Sequence, residues 1–307
     1  MVTSAHELFH QEGPWRHFQV VGSTNSFHVV EAGSKTDPLV LFLHGFPQFW
    51  YTWRAYLTAL PTHGFRVVAV DMRGYGGSDQ PPRGYDPKSL AHDVQSIIRC
   101  LGSSSAIVVG HDWGGFAAWA AAKRHPELIK AIAVINSPHP DVLLSKFLKN
   151  KKGRKLFWFL MQMQFSRIAR FRLSSDDAAD LEKLLLEWNN QEWPDATLSA
   201  IYRQAFLNRN TASRSIEYHR WVAKSLLRAE GRAFFRQMSK PINQDVLAIG
   251  VDDNPLVDAA MMATSAKFVL GEFEFKSFAT GGHHIHERRS ESVIPVLTSW
   301  LIKALNR

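Results

Sequence analysis

Residues 108–115 read Val108-Val109-Gly110-His111-Asp112-Trp113-Gly114-Gly115 and separate a short apolar run from the alanine-rich stretch Phe116–Lys123. The apolar run predicts a strand, and the alanine-rich stretch predicts a helix. The glycines at positions 110 and 114 permit a sharp strand-to-helix turn that pushes the side chain of Asp112 into a cleft. This is the nucleophile-elbow pattern with Asp in the place of Ser. A helix N-cap is the competing interpretation, because Asp favours that position.

An Asp nucleophile narrows the reaction class. A carboxylate is ionised at pH 7 and needs no base in order to attack. Attack on a saturated carbon that carries a leaving group gives an alkyl ester of the enzyme. Water must then attack the ester carbonyl, and this step requires a general base and an oxyanion hole. We therefore expect an epoxide or an alkyl halide as substrate, whereas a Ser nucleophile would indicate an ester or an amide.

A candidate oxyanion hole follows another predicted strand. The sequence Leu43-His44-Gly45-Phe46-Pro47 comes directly after the apolar run Leu39–Leu43. We expect the backbone N–H groups of Phe46 and of Trp113 to converge on the carbonyl oxygen of the ester. Pro47 has no N–H group and cannot donate. The alternative is that this segment forms an ordinary turn.

The general base is expected late in the chain, because the elbow pattern orders its catalytic groups as nucleophile, acid and histidine. The tract Gly281-Gly282-His283-His284-Ile285-His286-Glu287 follows the last predicted strand. We favour His283 over His284 and His286, because His283 directly follows the Gly-Gly loop. A metal site is the alternative for a histidine-rich tract. No other cysteine, histidine or carboxylate pattern lies nearby, so we expect no metal.

The acid that orients the base is expected after the preceding strand. There the chain reads Val246-Leu247-Ala248-Ile249-Gly250-Val251-Asp252-Asp253-Asn254-Pro255. We favour Asp253 over Asp252, because Asp253 lies three residues beyond the glycine and just before the Asn-Pro turn. Asp71 also ends a predicted strand, but it precedes the nucleophile. We expect Asp71 to anchor the glycine-rich loop that follows it.

Eight short runs predict strands: Trp15–Val21, Ser26–Glu31, Leu39–Leu43, Arg66–Val70, Ala106–Val109, Ala131–Ile135, Val246–Ile249 and Glu274–Phe278. From the third run to the seventh they are apolar apart from Arg66, which is typical of a parallel sheet covered on both faces. The first two runs alternate around a four-residue turn and predict an antiparallel hairpin. Between about Pro138 and Lys240 the apolar spacing is helical. The clearest helical segments there are Ala178–Trp188, Thr197–Phe206 and Glu217–Leu227.

The composition fits a globular protein with a large core, because 45% of the 307 residues are hydrophobic and 21% are charged. A disordered chain is excluded. The single cysteine, Cys100, excludes an internal disulfide and an all-cysteine zinc site. No apolar run is long enough for a transmembrane helix and no secretory signal appears, so we expect a cytoplasmic protein.

The net charge of +8 is concentrated in the helical region. Between Asp141 and Lys240 there are 19 of the 36 Lys/Arg and 10 of the 28 Asp/Glu. The rest of the chain has 17 basic and 18 acidic residues and is therefore almost neutral. Nucleic acid and anionic lipid both attract such a region, but no nucleic-acid-binding motif accompanies it, and we expect no nucleic-acid partner. The basic stretch Lys149–Lys155 precedes the aromatic stretch Leu156–Leu160, as in interfacial anchors. A weak membrane-surface contact and a solvated helical face are both open.

Together these motifs resemble the α/β-hydrolase superfamily, in its epoxide hydrolase branch. The resemblance covers almost the whole chain and rests on His44–Arg54, Asp71–Asp79, Gly110–Gly115 and Asn136–Pro140. At the subfamily level, Gly13–His17 and Leu226–Arg232 are similar to actinobacterial members of the branch.

The resemblance implies an α/β-hydrolase fold, in which helices flank a mostly parallel eight-stranded sheet. It implies a core domain of residues 1–137 and 241–307 and an all-helical cap of residues 138–240, inserted after the sixth strand. The expected substrates are a small apolar epoxide and water, without a cofactor. A homodimer is one assembly to test.

In this family, two cap tyrosines donate hydrogen bonds to the epoxide oxygen, because ring opening generates an alkoxide. Here the first tyrosine falls at Trp158 or Phe159, and only the tryptophan has an N–H to donate. The second motif is similar to residues 216–221, and strict alignment puts His219 at the tyrosine position with Tyr218 one residue earlier. One residue rotates a helix by about 100°, so both cannot face the cleft equally. Tyr218, His219 and Trp158 are the candidate donors.

The leading hypothesis is therefore an epoxide hydrolase that uses Asp112, Asp253 and His283. A dehalogenase with the same three roles is the alternative. Haloalkane dehalogenases often have Asn where this chain has Phe46, and haloacetate dehalogenases need arginines where it has Trp113 and Gly115. Both differences count against that reading. A catalytically weak, membrane-peripheral binding protein is the hypothesis from another class.

Overall fold

The computed structural model describes residues 5–146, 149 and 151–306. Its strands are β1 (Arg16–Val21), β2 (Ser26–Ala32), β3 (Leu39–Leu43), β4 (Arg66–Val70), β5 (Ala106–His111), β6 (Ile129–Ile135), β7 (Asp245–Val251) and β8 (Phe273–Phe278). In the described part of the chain they form one eight-stranded sheet in the order β1-β2-β4-β3-β5-β6-β7-β8. All eight predicted strands are present, with boundaries that differ by at most two residues.

The pairing pattern confirms the mostly parallel sheet. Strands β1 and β2 form the predicted antiparallel hairpin, and β2 pairs with β4 antiparallel. The remaining neighbours pair in parallel. Every residue of β3, β4 and β5 is buried, because helices cover both faces of the sheet. This burial explains why these strands are almost wholly apolar, and the buried Arg66 of β4 pairs with Glu31.

The α-helices of the described residues are α1 (Ala5–Phe9), α2 (Arg54–Ala59), α3 (Pro87–Cys100), α4 (Trp113–Arg124), α5 (Pro140–Lys146), α6 (Lys151–Gln162), α7 (Ser166–Ser174), α8 (Ala179–Trp188), α9 (Ala196–Leu207), α10 (Thr211–Ser225), α11 (Ala229–Met238), α12 (Ala259–Thr264), α13 (Ile285–Arg288) and α14 (Ser290–Leu305). Short 3₁₀ helices occupy Trp50–Trp53, Leu60–His63, Asp176–Ala178 and Ser265–Phe268. No helix of the described residues is long and apolar enough to cross a bilayer.

Helices α5–α11 all lie between β6 and β7, where the sequence predicts the helical insertion. The three helical segments singled out from the sequence correspond to α8, α9 and α10. Phe147, Leu148 and Asn150 of the predicted cap lie outside the described residues, as do Met1–Ser4 and Arg307 of the predicted core.

The parallel topology determines where a site can form. The carboxyl ends of β3, β5, β6, β7 and β8 meet at one edge of the sheet, and their loops converge there. Helix α4 packs closely on the sheet through a run of small buried residues, Ala117, Ala118 and Ala120–Ala122. The insertion follows β6 at this same edge. Side chains from the core loops and from the inserted helices therefore meet in one place.

Candidate active site

The strand-to-helix turn at Asp112 requires glycine at its flanks. A Cβ atom on Gly110 would lie 2.4 Å from the carbonyl carbon of Gly114, and a Cβ on Gly114 would lie 2.0 Å from the carbonyl oxygen of Leu43. Asp112 itself adopts φ 49° and ψ −116°, a conformation that is strained for any residue other than glycine. Its carboxylate makes no helix-capping hydrogen bond. The turn therefore projects the Asp112 side chain away from α4.

The predicted oxyanion-hole donors both face the Asp112 carboxylate. The backbone N–H of Phe46 donates to Oδ2 of Asp112 over 3.0 Å, and the backbone N–H of Trp113 donates to the same carboxylate. Gly45 allows this approach, because a Cβ there would lie 2.6 Å from Cβ of Asp112. One carboxylate oxygen is thus held by the main chain.

A cavity of about 60 Å³ lies beside Asp112 and is bounded by core loops below and inserted helices above. Its walls are mostly apolar and include Phe116, Leu156, Phe159, Leu160, Trp188 and Val222. Shielding from bulk water raises the pKa of Asp112 from 3.8 to about 6, against the lowering effect of the Phe46 and Trp113 N–H groups. Asp112 is therefore mainly ionised at pH 7, in surroundings that favour its neutral form.

His283 lines the same cavity as Asp112. Its backbone N–H donates to the carbonyl oxygen of Trp188 (2.9 Å), and its carbonyl oxygen accepts from Nε2 of His111 (2.9 Å) and Nδ2 of Asn136 (2.8 Å). Its ring nitrogen Nε2 is buried and has no hydrogen-bond partner among the described residues. Burial, with a smaller contribution from His284, holds the pKa of His283 well below 6.5. The imidazole is therefore neutral and can accept a proton.

The competing histidines lie outside the cavity lining. Nδ1 of His284 lies 2.9 Å from Nδ2 of Asn189, and Nε2 of His286 lies 2.8 Å from Oγ1 of Thr52. Across the residues for which the structure gives positions, no group of three or more histidine, cysteine or carboxylate side chains is arranged to hold a metal ion. The geometry thus favours His283 among the three.

Asp253 contacts the loop that carries His283 rather than the imidazole ring. Its carboxylate accepts from the backbone N–H groups of Gly281 (3.1 Å) and Gly282 (2.8 Å) and from Nδ2 of Asn190 (2.8 Å). Among the described residues, the Asp253 carboxylate accepts no hydrogen bond from the His283 ring. Asp253 therefore fixes the position of the loop.

The group beside Nδ1 of His283 is Asn254, which the sequence interpretation missed. Its Nδ2 lies 3.3 Å from Nδ1, while its Oδ1 accepts from the backbone N–H groups of Leu256 and Val257. Asn254 is fully buried, whereas Asp252 is exposed and accepts from Ser277. The available signal was the Asn-Pro pair after the strand, which we interpreted only as a turn.

Asp71 anchors the glycine-rich loop, as predicted. Its buried carboxylate accepts from the backbone N–H of Gly77 (2.9 Å), from the backbone N–H of Trp50 (2.8 Å) and from Nδ1 of His28 (2.8 Å). The His28 contact lowers the pKa of Asp71 in spite of burial, which by itself would raise it. Asp71 does not line the cavity.

Of the three candidate cap donors, only His219 lines the cavity. The hydroxyl of Tyr218 is buried and donates to the carbonyl oxygen of Arg73 (2.8 Å), which directs it away from Asp112. Trp158 is 64% exposed and lies on the outer surface of α6, while its neighbour Phe159 faces the cavity. The structure therefore brings neither Tyr218 nor Trp158 to Asp112.

Both ring nitrogens of His219 are already used. Nδ1 donates to the carbonyl oxygen of Ser215 (2.9 Å), so Nε2 is the acceptor for the indole N–H of Trp113 (3.1 Å). Burial lowers the pKa of His219 to about 4, against a raising effect of Ser215. The ring is therefore neutral near pH 7 and has no free proton to donate. Trp113 thus contributes its main-chain N–H to the Asp112 carboxylate and its indole N–H to the roof of the cavity.

Comparisons with known proteins agree with this geometry. Residues 38–289 match the family described as alpha/beta hydrolase fold. The chain is 31% identical over 286 residues to Epoxide hydrolase 3 of Xenopus tropicalis, and this match covers 90% of this chain and 74% of that protein. It is 41% identical over 162 residues to Epoxide hydrolase 4 of Mus musculus, but this match covers only 52% of the chain and 44% of that protein.

A solved structure shows the same architecture. The crystal structure of Epoxide Hydrolase A from Mycobacterium thermoresistibile superposes with a TM-score of 0.81 over 94% of this chain and 98% of that one, at 22% sequence identity. At this level of identity the likeness concerns the fold. The predicted fold class is confirmed.

Proposed function

Because this chain belongs to the α/β-hydrolase family, in its epoxide hydrolase branch, we propose that it converts a small apolar epoxide and water into a vicinal diol. One observation carries the proposal. An ionisable carboxylate, Asp112, lies at the floor of an apolar cavity with Oδ2 held by the Phe46 N–H, and the same cavity is lined by His283, whose buried Nε2 has no hydrogen-bond partner among the described residues.

The first step is attack by the free oxygen of Asp112. While the main chain holds Oδ2, Oδ1 forms a bond to one ring carbon of the epoxide. The bond between that carbon and the ring oxygen breaks, and the oxygen stays on the neighbouring carbon as an alkoxide that takes up a proton from water. The product is an alkyl ester on Asp112. This step requires Asp112 to be ionised, so its rate should rise with pH through about 6.

The second step is hydrolysis of the ester. His283 accepts a proton from water at Nε2, and the water oxygen bonds to the ester carbonyl carbon. This step requires the tautomer that carries its hydrogen on Nδ1, so the Nδ2 group of Asn254, 3.3 Å away, must turn from Nδ1 first. The negative charge develops on Oδ2, which already accepts from the Phe46 N–H at a fixed position, and the Trp113 N–H faces the same carboxyl group. When the tetrahedral intermediate collapses, the bond to the alkyl oxygen breaks and that oxygen takes the proton from His283, which releases the diol. Asp112 is left as the neutral acid and returns its proton to solvent, which balances the proton taken up at ring opening. Asp253 contributes by fixing the loop that carries the base.

We assign the hydrogen bond to the opening oxygen to the Trp113–His219 pair. The indole N–H of Trp113 and Nε2 of His219 meet at the cavity roof, 3.1 Å apart. A nascent alkoxide is a much stronger acceptor than a neutral imidazole, so the indole N–H can shift from His219 to the substrate oxygen. In this assignment residues 138–240 form a cap domain whose side chains close the site over the core of residues 1–137 and 241–307. The free cysteine Cys100 is compatible with the proposed cytoplasmic location.

A single-turnover experiment in ¹⁸O-labelled water tests the covalent route. The label should enter the Asp112 carboxylate before it enters the diol, because water attacks the ester carbonyl. His283→Gln should accumulate the alkyl adduct on Asp112, since alkylation needs no base, and Asp112→Ala should form no adduct. Label that appears in the first-turnover diol would mean that water attacks the epoxide directly.

A dehalogenase is the second candidate. It is favoured because both ring nitrogens of His219 already have hydrogen-bond partners, so this cap residue has no proton to give to a leaving oxygen. A halide leaves as an anion without taking up a proton, so a neutral His219 is no obstacle to that reaction. Alkylation rates with a matched epoxide and alkyl bromide distinguish the two activities. If the first proposal holds, His219→Gln alters the epoxide rate alone, and Tyr218→Phe serves as the control because its hydroxyl faces Arg73. Bromide turnover without epoxide turnover would assign the dehalogenase.

A further inference from the structure

The outer surface of α6 and α7 carries large apolar side chains in contact with solvent. Trp158 is 64% exposed, Phe165 68%, Ile168 60% and Phe171 72%. Ile168 and Phe171 are three residues apart on α7 and therefore neighbours on one helix face. Trp158, Phe165 and Ile168 line one surface groove between the two helices, whose lining also includes charged side chains such as the Lys155–Glu187 ion pair. Such clustered exposure is typical of a surface that contacts something apolar.

The same surface holds the positive charge of the protein. From Val142 to Ser175 there are nine Lys/Arg and no Asp/Glu, so the rest of the chain has 27 basic side chains out of 36 and all 28 acidic ones. Lys151, Arg154, Arg167 and Arg170 are exposed and form no ion pair with any residue that the structure describes. Arg154 lies four residues before Trp158, and Arg167 lies four residues before Phe171. Unpaired cations therefore alternate with apolar side chains.

We propose that this basic-apolar face, formed by the exposed side chains of residues 151–172, docks on the surface of an anionic lipid bilayer. Large apolar side chains enter the interfacial region of a bilayer, while flanking cations contact anionic headgroups. A nucleic acid would satisfy the cations but would leave four large apolar side chains in water. A second copy of this chain would bring two strongly positive faces together. The bilayer is the occupant that matches both properties.

The groove also suggests what docking accomplishes. It has a volume of about 600 Å³ and shares Phe159, Trp188 and Leu256 with the cavity beside Asp112. These three side chains form the wall between the membrane-facing groove and the site. An apolar substrate dissolved in the bilayer would therefore enter through the groove, with its apolar tail there and its reactive end at Asp112. This part of the inference rests on the proposed function, whereas docking does not.

Sedimentation with vesicles tests the docking. Wild-type protein should bind vesicles of phosphatidylcholine mixed with phosphatidylglycerol, and should bind pure phosphatidylcholine much more weakly. Binding should weaken as salt rises, because the screening length falls from about 10 Å at 0.1 M to about 3 Å at 1 M. Asp112→Ala should bind as the wild type does, which separates docking from catalysis.

Two triple variants test the two components of the face separately. The apolar set is Phe165→Ser, Ile168→Ser and Phe171→Ser, and the charge set is Arg154→Gln, Arg167→Gln and Arg170→Gln. Loss of three surface cations should weaken binding to anionic vesicles about 100-fold. The apolar set should weaken it at least about tenfold. Each set has a matched triple variant at exposed positions elsewhere. The control for the apolar set is Val21→Ser with Leu227→Ser and Leu270→Ser. The control for the charge set is Lys35→Gln with Arg83→Gln and Lys276→Gln.

The inference is overturned if wild-type protein stays in the supernatant with anionic vesicles at low salt. It is also overturned if the face variants, shown to be folded by circular dichroism, bind as tightly as the controls. Binding to a DNA duplex, without binding to vesicles, would assign the face to nucleic acid instead. Salt-dependent vesicle binding by a protein that turns over no epoxide would support docking and refute the proposed function.

Discussion

Replacing the Asp112 carboxylate with an amide should stabilise the fold by an amount that depends on pH. In the folded chain, burial raises the pKa of Asp112 from 3.8 to about 6. Between these values the folded state keeps a proton that the unfolded state has lost. The free energy of unfolding therefore decreases as pH rises through this window and is constant above it. Asp112→Asn has no proton to lose and escapes this penalty.

The pKa difference of about 2 (6 minus 3.8) corresponds to about 3 kcal/mol at about 1.36 kcal/mol per pKa unit. We expect Asp112→Asn to exceed the wild type by up to this amount near pH 7.5, and by only about 1 kcal/mol near pH 4.5. The amide oxygen can still accept from the Phe46 N–H. Asn also tolerates the positive φ of 49°, so backbone strain cancels in the comparison.

Urea unfolding curves, followed by tryptophan fluorescence at several pH values, measure this difference. Asp37→Asn, on a partly exposed surface turn, is the matched control for the chemical change from carboxylate to amide. A constant difference between Asp112→Asn and the wild type at all pH values would refute the electrostatic explanation. An Asp112→Asn variant that is less stable at pH 7.5 would show that the carboxylate stabilises the site.

Three further results are expected. Asn254→Asp should put a carboxylate beside Nδ1 of His283 and speed decay of the alkyl-enzyme about tenfold. Asp253→Asn should slow this decay, because the loop that carries His283 loses an anchor. Single-turnover assays measure both decay rates, and rates equal to that of the wild type would exclude both roles. Gly114→Ala should cost about 3 kcal/mol or more of unfolding free energy in urea, because its Cβ would lie 2.0 Å from a main-chain oxygen of β3, and a cost below about 1 kcal/mol would contradict this. The buried neutral histidines should lower the free energy of unfolding below about pH 6.5, because there the histidines of the unfolded chain bind protons that the folded chain excludes. His219→Phe should recover up to about 3 kcal/mol of this free energy near pH 4. Unfolding followed by circular dichroism at several pH values measures the difference.

The sheet was predictable because each strand carries its own signal. Strands β3 and β4 match their predicted bounds, since every residue in them is buried and their short, β-branched apolar runs favour a buried strand. The elbow was predictable because of sterics, as a Cβ at Gly110 or Gly114 collides with main-chain atoms. Both signals are local, so one sequence is sufficient to recognise them.

The contact that orients His283 was not predictable in the same way. Asp252, Asp253 and Asn254 are consecutive in a turn, and the sequence shows only that polar groups follow β7. Which of them reaches the imidazole depends on how the turn packs on Gly281 and Gly282, whose N–H groups occupy the Asp253 carboxylate. That packing joins segments almost 30 residues apart and leaves no signature in either.

The roof of the cavity shows the same difficulty on a helix. Tyr218 and His219 are separated by about 100° of rotation on α10, and the sequence does not show which of the two side chains faces the cavity. One contact that fixes this orientation comes from a distant loop, where the carbonyl oxygen of Arg73 accepts a hydrogen bond from the Tyr218 hydroxyl. Once Tyr218 is held there, His219 must face Trp113, where burial keeps it neutral. The contact with the Arg73 carbonyl, together with the packing of α10 on the neighbouring helices, thus makes the roof present an imidazole–indole pair instead of a phenol, and this pair determines the chemistry available to the leaving oxygen.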